Sequence, residues 1–209
     1  MKGSKTKKEI EKYIQYYKTP FGKKLADYEA KLIDSYTPPN ATLISIGCGP
    51  AIIESVLYQS RKDVCFVTLD NNKNIIRFAD LHLNPLQADA TQLPLFSNIA
   101  DIVISITSLE FMQHPEKALI EAYRILKPKG LFVAFLLNPQ SSYIKQKMQE
   151  RSSYIGKNIQ QKNYDLISST VSGYFKQVEY HFNIFIKENE IKKRMSKNKA
   201  RLVIMKGKK

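Results

Sequence analysis

The fold is decided by residues 42–51, which read TLISIGCGPA. The first residues of this stretch form a mainly apolar run rich in branched side chains, which predicts a strand buried inside a parallel sheet. Gly47 and Gly49 follow directly, and a helical pattern begins at residue 51. A glycine turn between a buried strand and a helix lies at the carboxyl edge of an open α/β sheet, where such folds bind ligands.

Strands and helices alternate along the following hundred residues. The apolar patterns predict strands at 64–70, 86–88, 101–106 and 131–137, and helices at 51–60, 72–81 and 115–127. A polar helical region at 141–172 then precedes two strand-like runs, at about 176–187 and 200–206, joined by a charged connection. The alternation predicts a doubly wound, mostly parallel, seven-stranded Rossmann-like sheet that ends in an antiparallel C-terminal hairpin strand.

The first 37 residues read as helical, with an interruption at Pro20 and Gly22 and an end at Pro38. We therefore predict one domain over residues 1–209, with an N-terminal helical extension or cap at 1–40 and the sheet core at 41–209. Tyr13, Tyr17 and Phe21 fit either a lid over the carboxyl edge or simple packing of the extension.

The charge of the chain is unevenly distributed. It has 33 lysines and arginines against 19 acidic residues, for a formal net charge of +14. Residues 38–140 are close to neutral, whereas residues 141–209 carry 16 basic and 5 acidic side chains. A basic surface of this kind fits a solvated lysine coat or an electrostatic footprint for nucleic acid.

Composition excludes several other classes of protein. The 43% of hydrophobic residues are enough for a core, and 2 cysteines cannot form a disulfide framework or a four-thiolate metal site. No apolar run is long enough for a membrane span, and the N-terminal sequence lacks the apolar region of a signal peptide. We expect a cytoplasmic protein with no membrane association and no metal.

The glycine loop does not match the common phosphate-binding patterns. A dinucleotide fingerprint would place its third glycine at Ile52, and Pro50 removes an amide donor from the loop. No Gly-Lys-Ser/Thr sequence follows, which excludes a P-loop. Asp70 ends the second predicted strand and Asp89 follows the third, so that carboxylates could accept hydrogen bonds from a ribose and from an adenine amine. This order favours an adenosine ligand without phosphates.

With these motifs, the sequence resembles the class I S-adenosylmethionine-dependent methyltransferases, in the group called type 11. The resemblance runs from about residue 17 to residue 137 and rests on four stretches, with a particularly specific part at Glu121 to Gly130. These stretches are TPFGKKLADYEAKLI (19–33), LISIGCGPA (43–51), VTLD (67–70) and residues 86–133.

The resemblance implies S-adenosylmethionine as cofactor and assigns roles to loop residues. Gly47, Cys48 and Gly49 would lie against its methionyl part, and Thr107 would line the site near that end. Asp70, with Asn71 beside it, would bind the ribose, and Asp89 and Ala90 would flank the adenine. Two positions depart from the family pattern, because Ser45 replaces the usual acid and Ala51 replaces the third glycine.

The acceptor of the methyl group has no recognisable signature in the sequence. Tyr17, Glu110 and His114 are the candidate substrate-binding residues, since the resemblance places them on substrate-facing segments. No partner base accompanies the Cys48 thiol, and no Asn/Asp-Pro-Pro-aromatic tetrapeptide follows the fourth strand. The sequence therefore favours a small-molecule acceptor. RNA methylation through the basic C-terminal region and a non-catalytic cofactor-binding protein are the alternatives.

The cofactor assignment predicts a direct binding result. Calorimetric titration of the protein with S-adenosylmethionine or S-adenosylhomocysteine should give saturable heat. Absence of detectable heat at high micromolar ligand would contradict the assignment.

Overall fold

The computed structural model describes residues 7–187, 190–192 and 196–209. Its centre is an eight-stranded sheet in the order β3-β2-β1-β4-β5-β8-β6-β7. The strands are β1 (Thr42–Ile46), β2 (Cys65–Asp70), β3 (Pro85–Gln87), β4 (Ala100–Ile106), β5 (Leu126–Leu137), β6 (Lys176–Lys187), β7 (Glu190–Lys192) and β8 (Ala200–Lys208). Strands β1 to β5 are parallel, and β8 runs antiparallel to both β5 and β6. The predicted fold class is confirmed, with the short β7 as an added strand.

Helices cover both faces of this sheet. They are α1 (Lys7–Lys18), α2 (Pro20–Asp34), α3 (Ile52–Ser60), α4 (Lys73–Ile76), α5 (Pro115–Ile125), α6 (Ser142–Gln149), α7 (Tyr154–Asn158) and α8 (Asp165–Tyr174). One core forms where α2 and α3 pack on the sheet, and a second forms beneath α5 and α8. No helix in the described part of the chain has the length and hydrophobicity needed to cross a bilayer.

The two cores explain the continuous apolar run in β1. Leu43 faces the core beneath α2 and α3, whereas Ile44 and Ile46 face the core beneath α5. A strand buried on both faces needs apolar side chains on both, so its sequence cannot alternate with polar residues. Ser45 shares the face of Leu43 and is fully buried, which makes it the one polar exception in the centre of this strand.

The structure corrects the helix predicted at residues 72–81. Helix α4 ends at Ile76, and a separate 3-10 turn spans Leu81–Leu83. The Asp80 side chain accepts a hydrogen bond from the His82 amide at 2.9 Å, which starts this second turn with extended backbone at Asp80. An aspartate that bonds nearby amides favours a cap over a helix interior, and this local bond interrupts the helix.

Other element boundaries also differ from the sequence predictions. Helix α5 ends two residues earlier than predicted, and β5 starts at Leu126 instead of residue 131. The polar region at 141–172 contains three short helices. In the N-terminal extension, Pro20 begins α2, because proline suits the first helical turn. Residues 1–6 of the extension and parts of the predicted charged connection (188–189 and 193–195) lie outside the described residues.

One side-chain network connects α5 to the loop that precedes β4. Glu121 and Arg124 pair at 2.7 Å, and Glu121 also accepts the Leu93 amide at 2.7 Å. Arg124 donates to the carbonyls of Leu93 and Leu95 at 3.1 and 2.8 Å. The pair thus provides hydrogen-bond partners for backbone groups in a loop without regular hydrogen bonds. This role explains why Glu121 and Arg124 belong to the stretch that carries the family resemblance.

This network predicts a stability effect of losing the guanidinium. Arg124→Met should lower the free energy of unfolding by about 1–3 kcal/mol, because partly buried carbonyls and the Glu121 carboxylate lose a charged donor. Lys117→Met is the control, since Lys117 is an exposed cation on the same helix. Urea unfolding of both variants measures the difference, and equal stabilities would contradict a structural role for the pair.

Candidate cofactor-binding site

The loop between β1 and α3 has left-handed backbone at three positions. The φ angles are +70° at Gly47, +60° at Gly49 and +50° at Ala51. A side chain at Gly47 would also place its Cβ 2.6 Å from the Ser108 side chain. Glycine is therefore required at 47 for both conformation and space, whereas Ala51 adopts a strained conformation at the helix start.

Backbone and side-chain bonds hold this loop against the end of β2. The amides of Gly47 and Cys48 both donate to the Leu69 carbonyl, at 2.7 and 3.0 Å. The Asp70 carboxylate accepts the Gly49 amide at one oxygen and the Asn72 amide at the other, both at 2.8 Å. Asp70 thus fixes the glycine loop at the carboxyl edge of the sheet. The cap of α4 is Asn72, whose side chain accepts the Asn74 amide at 3.0 Å.

The end of β4 approaches the same loop from the other side. The Ser108 hydroxyl donates to the Ile46 carbonyl at 3.1 Å and lies 2.6 Å from the Ser105 hydroxyl. Thr107 has a φ of +44°, and its amide donates to the Phe135 carbonyl at 2.8 Å. Ser108 was not predicted from the sequence, because its partner Ile46 lies 62 residues away in the chain.

Asp89, Ala90 and Asn71 lie beyond Asp70, at the ends of β2 and β3. Asp89 accepts the amide and the hydroxyl of Thr91, both at 2.8 Å. These hydrogen bonds, with a smaller contribution from His114, hold the pKa of Asp89 below its usual range. Asn71 is exposed, and Ala90 packs against the core beneath α5. The two glycines, Asp70 and Asp89 therefore share one edge of the sheet.

Comparison with known proteins agrees with this arrangement. Residues 44–134 match a family model described as a methyltransferase domain. This segment, which is less than half of the chain, is therefore similar to methyltransferase domains. The matched segment contains the glycine loop, Asp70, Asp89 and the Glu121–Arg124 pair, which are the features of the predicted class I resemblance. The comparison with curated proteins found no match.

Solved structures described as methyltransferases share the fold of this chain at low sequence identity. An S-adenosylmethionine-dependent methyltransferase of Thermotoga maritima aligns over 96% of both chains with a TM-score of 0.74 and 18% identity. One from Archaeoglobus fulgidus aligns over 94% of this chain and 99% of its own, with a TM-score of 0.75 and 17% identity. A Methanococcus maripaludis protein, described as a putative methyltransferase of the same kind, covers 99% and 96% at 21% identity and a TM-score of 0.68.

The residues of the site fit the cofactor of this family. S-adenosylmethionine has no phosphates, and the loop offers close backbone approach and carboxylates instead of the amide cradle of a phosphate site. The Cys48 thiol lies within this loop, 3.4 Å from the Gly49 carbonyl. Burial and the charges of Glu54 and Asp70 raise the pKa of that thiol well above its usual range. Cys48 is thus a neutral thiol and a poor nucleophile.

The three predicted substrate-binding residues occupy different environments. Tyr17 is half-buried in α1, 5.2 Å from the Tyr13 ring. Glu110 is 1% exposed, and one carboxylate oxygen accepts the Leu137 amide while the other has no partner in the described structure. Burial raises its pKa to about 7. His114 is exposed at the start of α5, 3.3 Å from Glu116.

Tyr154 joins this edge from a segment that the sequence analysis did not single out. Its ring lies 5.3 Å from that of Phe111, on the turn after β4. Burial and the charges of Asp70 and Glu9 raise the pKa of Tyr154 to about 12. Tyr154 thus lies close to Asp70, which holds the glycine loop, and to helix α1. The described residues contain no cluster of three or more histidine, cysteine or acidic side chains suited to a metal ion.

The Asp70 geometry predicts a binding defect with a clear control. Asp70→Ala should weaken S-adenosylhomocysteine binding more than tenfold, since charge-assisted hydrogen bonds contribute about 1.5–3 kcal/mol each. The affinity of Asp70→Asn for this ligand should lie between those of the wild type and Asp70→Ala, because the amide keeps one acceptor oxygen. Asn72→Ala should lower stability by about 1 kcal/mol through loss of a cap and should bind normally. Calorimetry and thermal melts compare the three; early melting of Asp70→Ala with normal binding would contradict the assignment.

Proposed function

We propose that this protein transfers a methyl group from S-adenosylmethionine to a small-molecule acceptor. In this proposal Gly47, Cys48 and Gly49 contact the methionyl part, and Thr107 lies near the methyl group. Asp70 and Asn71 bind the ribose, and Asp89 and Ala90 flank the adenine. The observation that carries the proposal is the Asp70 carboxylate, held by two backbone amides at 2.8 Å beside the positive-φ glycine loop.

The acceptor side of the site supports a small substrate. The backbone amides of Gln160 and Gln161 both donate to the Glu110 carbonyl at 2.9 Å. Lys157 on α7 lies 4.0 Å from Glu9 on α1. Together with the Phe111–Tyr154 ring contact, these interactions hold α1 and α7 over the loop after β4. A covered carboxyl edge admits a small molecule more readily than a folded RNA.

Methyl transfer from S-adenosylmethionine requires few chemical functions from the side chains of the protein. S-adenosylmethionine supplies an electrophilic methyl group on a sulfonium. The protein has to position an already nucleophilic acceptor in line with this methyl group and to exclude water. The half-buried aromatic side chains of Tyr13, Tyr17 and Tyr154 help to exclude water. The neutral Cys48 thiol and the exposed His114 do not suggest a dedicated base.

Several basic side chains of the C-terminal region have structural partners, which weakens the case for RNA. The Lys209 ammonium donates to the Leu126 carbonyl and to Asn98, both at 2.8 Å. Lys206 pairs with Glu179 at 3.2 Å, and the Arg201 guanidinium lies 3.8 Å from the centre of the Tyr143 ring. Cations used within the fold are less available to phosphates. RNA methylation stays an alternative that the assay below addresses.

Production of S-adenosylhomocysteine tests the proposal. Purified protein with S-adenosylmethionine should form it when given fractions of a small-molecule metabolite panel, and Asp70→Ala should not. Formation only with tRNA or rRNA fragments, at about 50 mM salt where phosphate contacts are strongest, would replace the proposal with the RNA alternative. Cofactor binding without product in either arm would favour a non-catalytic cofactor-binding protein.

A further inference from the structure

One carboxyl group near the end of β4 is buried without a complete set of partners. Glu110 lies in the turn between β4 and α5 and is 1% exposed. One of its carboxylate oxygens accepts the Leu137 amide at the end of β5, and the other has no hydrogen-bond partner in the described structure. Among the described residues, no lysine, arginine or histidine forms an ion pair with this group. A buried acid without a cation is costly, so its presence calls for an explanation.

Three donors that lie close to Glu110 all serve backbone carbonyls. The amides of Gln160 and Gln161 donate to the carbonyl of Glu110 itself, both at 2.9 Å. The Tyr164 hydroxyl donates to the Leu137 carbonyl at 2.7 Å. Burial and the charge of Glu110 raise the pKa of this phenol, which agrees with the closeness of the two groups. The fold thus fixes Glu110 in place and leaves its second oxygen available to a donor that the described residues do not supply.

Glu110 lies at the same strand ends as the residue proposed to lie near the methyl group. The Thr107 amide donates to the Phe135 carbonyl at 2.8 Å, and the Glu110 carboxylate accepts the Leu137 amide. Both residues therefore bond to the last part of β5, at positions two residues apart. Two residues of a strand span about 7 Å. The carboxylate thus lies within the length of a small molecule from the position proposed for methyl transfer.

An amine is the ligand that best fits this carboxylate. A carboxylate offers only hydrogen-bond acceptors, whereas an ammonium group offers donors and the opposite charge. A hydroxyl would leave the buried charge unbalanced, and an anion would be repelled. The charges that act on Tyr154 next to this turn are also acidic, since burial and the charges of Asp70 and Glu9 raise its pKa. The Phe111 and Tyr154 rings, with centres 5.3 Å apart, add aromatic faces that attract a cation.

We propose that the methyl acceptor is an amine, and that Glu110 binds its ammonium group and takes one proton from it. This inference rests on the proposed function and names the class of its substrate. The proton transfer leaves a lone pair on nitrogen. That pair forms the bond to the methyl carbon as the bond between this carbon and the sulfonium sulfur breaks, with its electrons remaining on sulfur. Glu110 releases the proton to water when the methylated amine leaves. Burial raises the pKa of Glu110 to about 7, which suits a group that gains and loses a proton near neutral pH.

The free oxygen of Glu110 is shielded from water, which determines how the methyl acceptor enters. Residues 159–164, between α7 and α8, form no regular helix or strand and bond to Glu110 through the Gln160 and Gln161 amides. Segments with few hydrogen bonds open at a low cost in free energy. This connection moves aside for the methyl acceptor, and the shielded site then strengthens the attraction between carboxylate and ammonium.

Matched pairs of amines and alcohols test this proposal. The two members of a pair differ only in an amino group replaced by a hydroxyl, as in phenethylamine and 2-phenylethanol. Each is given to the purified protein with S-adenosylmethionine, and S-adenosylhomocysteine should form with the amines and not with their alcohol partners. Product from alcohols or other non-amines alone would overturn the proposal and leave the proposed methyl transfer standing. No product from any small molecule would overturn both.

The variant Glu110→Gln removes the charge and keeps the shape of the side chain. It should lower kcat/KM for the amine substrates about a hundredfold or more, the usual effect of losing a proton acceptor, and should leave the affinity for S-adenosylhomocysteine unchanged. Glu116→Gln is the matched control, because one oxygen of Glu116, on α5, is also buried without a partner in the described structure. Its kcat/KM should equal that of the wild type. Equal kcat/KM for Glu110→Gln and the wild type would overturn the proposal.

Thermal unfolding separates this role from a purely structural one. The amide oxygen of glutamine can still accept the Leu137 amide, so Glu110→Gln should melt close to the wild type. Glu110→Ala also removes that hydrogen bond and should melt earlier, because the Leu137 amide loses its partner. Early melting of Glu110→Gln together with weaker S-adenosylhomocysteine binding would assign Glu110 a structural role and overturn the proposal.

Discussion

The hydrogen bond from the Gly49 amide to the Asp70 carboxylate is the contact on which the site depends. It joins the loop after β1 to the residue that ends β2, at 2.8 Å. Because φ is positive at Gly47 and Gly49, the amides of this loop do not point at the acceptors that a helix or a strand would provide. Each of them therefore needs a hydrogen-bond partner outside the loop. Asp70 and the Leu69 carbonyl provide them. The same side chain turns the chain toward α4 through Asn72, so one carboxylate shapes two connections at the ligand edge.

The carboxyl groups around this edge differ in how they are held, and the difference follows from their neighbours. Asp89 is exposed and accepts two donors from Thr91, which keeps its pKa low. Glu29, Glu54 and Glu110 are buried with few donors, and their pKa values are raised to about 8, 7 and 7. Asp89 is thus held in its charged form by its donors. Burial instead disfavours the charged form of Glu29, Glu54 and Glu110.

The features of the fold and of the site that could be predicted from the sequence are those set by interactions between residues close together in the chain. Strands β1 and β4 and the glycine loop were predictable, because burial on both faces and positive φ impose local residue choices. The prediction of a helix at 72–81 was wrong, because the apolar periodicity at Ile75 and Ile76 did not reveal that Asp80 starts a new turn. Ser108 and Tyr154 could not be found, since their partners are distant in the chain. The Ser45–Glu54 bond spans only nine residues, but its meaning needs the strand and helix to be facing each other.

The segments over the carboxyl edge, which are α1, α7 and the residues after α7, are also held by a few polar groups. Glu110 accepts the Leu137 amide through its side chain and the Gln160 and Gln161 amides through its carbonyl, so one residue joins the ends of β4 and β5 to the segment after α7. Tyr164 adds a hydrogen bond to the Leu137 carbonyl at 2.7 Å. Across the edge, α7 reaches α1 through Lys157 and Glu9, at 4.0 Å and with both side chains partly exposed. A pair of that kind contributes little to stability. On the β4–β5 side the covering segment is therefore held by hydrogen bonds to Glu110 and Leu137, and toward α1 the Lys157–Glu9 pair adds a partly exposed contact.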